Sequence, residues 1–81
     1  MEKTRCELEN KISKNIYIAM LKRLESRKAE SLTMIQLYME KSVGITDHSD
    51  ILNEIEKWLS ILSDSEGKIE CLEKNFNSYS E

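Results

Sequence analysis

The sequence predicts an all-α protein: an antiparallel helical hairpin of two long amphipathic helices, expected to complete a bundle or coiled coil with a second chain. Three observations lead there. The 81 residues include no Pro and only two Gly, and are 40% hydrophobic and 33% charged, so the strongest interior helix breakers are nearly missing. Apolar residues recur at spacings of three and four in both halves, the mark of a helical face. A single cluster of turn and capping residues, KSVGITDHSD at 41–50, divides the halves. One helical domain spanning 1–81 follows, near the lower size limit for a self-sufficient core.

The first helix is expected over about residues 5–42. Its apolar positions are Leu8, Ile12, Ile16, Ala19 and Met20, Leu24, Leu32, Ile35, Tyr38 and Met39, and Val43. ESRKAES at 25–31 is its soft spot, because Arg27 and Lys28 stand where the stripe calls for apolar side chains. Either the helix continues there with a polar face, or it breaks and the chain forms three helices. Glu, Arg, Lys and Ala are good helix formers and no turn residue intervenes, which favours continuation.

A connection follows at about 43–48. Gly44 suits the left-handed conformation that closes a helix. Thr46, Asp47, Ser49 and Asp50 are candidate N-caps for the next, and an acid in the first turn favours the helix dipole. So short a link makes the two helices antiparallel neighbours.

The second helix is expected over about 49–77. With His48 at heptad position a, the a positions are His48, Ile55, Leu62, Ile69 and Phe76, and the d positions are Ile51, Trp58, Ser65, Leu72 and Tyr79. Leu52 and Leu59 widen this stripe on its e side, giving a face broad enough for a bundle. Gly67 lies outside the stripe, and the register is the same before and after it, so the helix is read as continuous.

Because the first helix is longer by about 13 Å at 1.5 Å per residue, the second runs out near residues 12–15 of the first. Apolar side chains crowd that open end beyond what one partner helix covers, and exposed apolar surface of this extent marks an interface. The predicted partner contacts are Ile12, Ile16, Tyr17, Met20, Leu24, Trp58, Leu62, Ile69, Leu72, Phe76 and Tyr79. For Phe76 to Tyr79 the bland alternative is a frayed tail.

Charge is divided unevenly. Residues 1–44 carry nine Lys or Arg against six Glu, a net of +3, and residues 45–81 carry three Lys against nine Asp or Glu, a net of −6. The halves attract each other within one chain or between two, and the overall sign argues against bulk affinity for nucleic acid. The basic cluster Lys22, Arg23, Arg27 and Lys28 is the best case for polyanion contact, though Glu25 and Glu30 interrupt it and acids of the second helix, among them Glu66, offer partners. Cys6 and Cys71 are too few for a zinc site. In the two-helix arrangement they also lie too far apart to bridge. The longest apolar run, IYIAML at 16–21, is about a third of a membrane span, and nothing resembles a leader, so the chain is read as cytoplasmic with free thiols.

No cofactor, metal or small-molecule substrate is indicated. Asp47, His48, Asp50 and Glu54 could gather at the junction, but one His with carboxylates is a weak ligand set, and capping accounts for the acids. Glu54 with Asp50, or Glu70 with Glu66 and Glu73, sit at helical spacing, yet acid–base catalysis needs a pocket that two helices scarcely offer. The chain is therefore read as a non-enzymatic interaction protein, a small chaperone, adaptor or assembly subunit whose partner is another protein or a second copy. The alternative is a homodimeric helical regulator that touches nucleic acid through Lys22, Arg23, Arg27 and Lys28.

Overall fold

The protein, seen in a computed structural model, is described for the backbone of residues 3–41 and 48–81 and for the side chains of residues 11–40 and 50–81. Helix α1 runs Lys3–Lys41 and helix α2 runs His48–Phe76, followed by a 3₁₀ turn over Asn77–Ser80. The two helices pack against each other along their lengths, and the 3₁₀ turn packs back onto α1. The result is a rod of 67 × 18 × 14 Å.

Helix α1 is continuous through 25–31, as its composition favours, so the three-helix alternative falls away. Ser31 and Thr33, poor helix formers, reconcile with the helix by donating their hydroxyls to the carbonyls of Arg27 and Ala29, at 2.8 and 2.9 Å. Such bonds let a buried hydroxyl be satisfied within its own helix. Helix α2 passes through Gly67 without interruption. It opens at His48, one residue before the expected start, with Asp50 in its first turn. The proposed caps Thr46 and Asp47, the C-capping role of Gly44, and the side chains of His48 and Ser49 lie outside the described residues.

Contacts between the helices set their register. Near the closed end, where Lys41 and His48 approach the connection, the Tyr38 hydroxyl donates to Glu54 Oε1 at 3.3 Å. Further along, Lys28 Nζ lies 3.8 Å from Glu66 Oε2, and at the open end Tyr17 shares a groove with Leu72 and Phe76. These pairings place Lys28 level with Ser65 and Ser31 level with Leu62. Cys71 is then level with about residue 22, so Cys6 lies roughly 24 Å away along the axis. Cys71 is a free, exposed thiol.

The inward face of α1 takes only part of the apolar stripe read from the sequence: it is Tyr17, Leu21, Leu24, Lys28, Ser31, Ile35 and Tyr38, alternating by four and three. These side chains are buried or half-buried, whereas Ile12, Ile16, Ile18, Met20, Leu32, Leu37 and Met39 are exposed. The physical reason is that α1 carries apolar residues around much of its circumference and is only weakly amphipathic. Periodicity then supports more than one face, and the face that packs is the one commensurate with the heptad of α2. That heptad is seen from Ile51 to Leu72, with Ile51 and Ser65 buried and Ile55, Trp58, Leu62, Ile69 and Leu72 half-buried, whereas its last expected members, Phe76 and Tyr79, and the widening Leu52 and Leu59 are exposed.

Candidate functional site

The core between the helices is thin. Among the described residues the buried apolar side chains are Tyr17, Leu24 and Ile51, and the two fully buried side chains are Ser31 and Ser65, each at 0% exposure. Ser65 donates to the Ile61 carbonyl at 2.8 Å, so both hydroxyls are satisfied and each position contributes little volume. Small residues at successive inward levels let the helices approach closely there. Ser31 was missed by a reading for apolar residues, although its seven-residue spacing from Leu24 and Tyr38 marks it as inward.

Of the predicted partner contacts, the hairpin itself uses Tyr17 and Leu24, which are buried, and partly covers Trp58, Leu62, Ile69 and Leu72. Ile12, Ile16, Met20, Phe76 and Tyr79 stay exposed. These exposed side chains gather at the open end. Ser13, Ile16, Tyr17, Leu72, Phe76 and Tyr79 line a predominantly apolar groove of about 240 Å³. The 3₁₀ turn builds one wall of it, because it swings the Tyr79 ring to within 6.5 Å of Phe76, centroid to centroid and tilted by 35°. The Ser80 hydroxyl holds the turn by donating to the Asn77 carbonyl at 2.6 Å. The tail thus takes the form of a 3₁₀ turn packed against α1.

A second apolar area lies toward the closed end. Leu32 and Met39 occupy successive e positions of α1, and Leu52 and Leu59 successive e positions of α2. All four are exposed, and the register sets Leu32 within about 3 Å of Leu59 along the axis, and Met39 likewise of Leu52.

The polar groups fit a solvated surface. Lys22 pairs with Glu25 at 3.9 Å and Lys28 with Glu66 at 3.8 Å, all four side chains being substantially exposed. Two members of the basic cluster therefore face carboxylates already, and exposed pairs of this kind stabilise by about 1 kcal/mol at most. Glu66, Glu70 and Glu73 do converge with Lys28 and Lys74 on one open surface cleft. No group of His, Cys, Asp and Glu able to hold a metal occurs among the described residues. Nor, among those residues, is any helix long and apolar enough to cross a membrane.

Near the closed end a small network ties the helices. Glu54 accepts from Tyr38 and lies 3.9 Å from Lys57 Nζ, and Lys57 stands 4.9 Å from the centre of the Trp58 ring, within cation–π range. Partial burial raises the Tyr38 phenol above its ordinary 10.0, and the Glu54 carboxylate adds to this by repelling the phenolate and accepting the phenol's proton. The Trp58 indole N–H is buried with no acceptor among the described residues. Trp58 as a whole is half-buried, at the level of Ile35.

Comparison with known proteins finds no matching family model, no matching curated protein and no matching solved structure.

Proposed function

We propose that the chain is a non-enzymatic protein–protein interaction module, a small cytoplasmic chaperone, adaptor or assembly subunit that offers apolar helix faces to a partner polypeptide. In the same reading a second chain completes a bundle or coiled coil with the hairpin. The observation that carries it is the open-end groove, where Ile16, Leu72, Phe76 and Tyr79 form an apolar lining continuous with exposed Ile12 and Met20. An apolar surface of this kind gains from being covered. Its shape suits the apolar edge of a helix or an extended segment. The alternative reading, a nucleic-acid regulator, draws less support because Lys22 and Lys28 stand opposite Glu25 and Glu66.

A photoreactive side chain placed at Ile16 tests the reading in the native source. One predominant polypeptide adduct is expected, and Phe76→Asp should lower its yield by about tenfold or more, as loss of an interface anchor does. Phe76 is half exposed, so the variant keeps its helical circular dichroism. Absence of any heterologous adduct, or a yield indifferent to Phe76→Asp, overturns the open-end reading.

A further inference from the structure

The four exposed side chains near the closed end form two rungs. Leu32 with Leu59 makes one, Met39 with Leu52 the other, at 47%, 49%, 63% and 67% exposure respectively. The rungs are seven residues apart, about 10 Å along the axis. On the same flank toward the open end the character changes. The next e positions are Glu25 on α1, paired with Lys22, and Glu66 on α2, paired with Lys28, while Glu70 and Glu73 border the open cleft beside Lys28.

Area and charge both favour a second copy of the chain as the cover for this flank. The chain exposes 6550 Å², whereas a compact chain of 9.5 kDa exposes about 5,000 Å². The excess, about 1,500 Å², is of the size each subunit buries in an obligate homodimer. Charge supplies the fit. Helix α1 carries nine Lys or Arg against five Glu, a net of +4, and α2 carries three Lys against seven Asp or Glu, a net of −4.

We infer that a second copy of this chain packs on the flank bearing Leu32, Met39, Leu52 and Leu59, with both closed ends together and each α1 against the other copy's α2. Two hairpins meeting on the same flank have two symmetric arrangements. A twofold axis along the rod sets α1 over α2 of the other copy, so every neighbouring pair in the four-helix ring has opposite sign. A twofold axis across the rod sets α1 over α1 and α2 over α2, opposing like charges. Coulomb repulsion disfavours the second. The first stacks each rung on its own level, leucine against leucine at 32 and 59. This deepens the bundle-completion part of the proposed reading and rests on it, but it involves a different patch from the open-end groove.

The test uses the full chain. Sedimentation equilibrium should give twice the 9.5 kDa chain mass, falling to one chain for Leu59→Lys, with Phe76→Asp remaining dimeric. Since unfolding of a chain that needs its partner would also give one chain for Leu59→Lys, a second measurement reads the arrangement with folded protein. Leu32→Cys and Leu59→Cys are each made in a Cys6→Ser, Cys71→Ser background, mixed and oxidised. Disulfide dimers joining one variant to the other are expected to predominate. A monomer at all concentrations overturns the inference, and so do crosslinks that join each variant to itself. A dimer with no heterologous open-end adduct leaves the inference standing while the open-end reading fails. An adduct from a monomeric chain does the reverse.

Discussion

Two inward serines show how little a residue type says without its level in the packing. A heptad reading prefers leucine at Ser65, yet its side chain is fully enclosed and its hydroxyl satisfied by Ile61. Ser65→Leu is therefore expected to destabilise, by about 1–3 kcal/mol as overpacking does, with Ser65→Ala close to neutral; urea unfolding of the two variants decides it. Tyr38 carries a second prediction. Its phenol is raised above 10.0 by partial burial and then by Glu54, so the folded state holds the proton more tightly than the unfolded state. The stability this contributes is complete below pH 10 and is lost as pH rises through the folded value. Unfolding midpoints measured across that range should fall more steeply for the wild type than for Tyr38→Phe, the comparison removing the lysines that titrate in the same window.

The two helices differ in how plainly they are written. In α2 the inward residues share one heptad from Ile51 to Leu72, so the helix and its passage through Gly67 could be read in advance. In α1 the existence of a long helix was equally legible, but its inward face was not. Lys28 and Ser31 hold inward positions, while Ile12, Ile16 and Met20 lie outside them, and only the partner helix decides between such overlapping stripes. The open-end groove was half legible: the crowding of Ile16, Tyr17, Leu72, Phe76 and Tyr79 followed from unequal helix lengths, but the 3₁₀ turn that aims Tyr79 has no strong local signature. Gly67 is the element's plain weakness. A methyl group added there meets nothing within 4 Å, so Gly67→Ala should raise stability by about 1 kcal/mol, seen as a higher urea midpoint. An unchanged or lower midpoint would mean that α2 depends on yielding at that point.

At the scale of the whole molecule the hairpin is long and thinly cored, and covering it is the main source of stability still open to it. If the inferred dimer holds, folding and association are one equilibrium, and the thermal midpoint falls on dilution. The buried serines bear on this assembly in a way their size does not suggest. Lys28 stands level with Ser65, a small and fully buried side chain, and its ammonium lies 3.8 Å from Glu66. Sliding one helix past the other by a heptad would bring Lys28 level with Trp58 or Leu72, driving a cation into an apolar layer. Ser65 thus works as an index notch: it admits the lysine at one setting and refuses it a heptad away on either side. By fixing that setting inside the hairpin, it also decides which leucines line up on the outside.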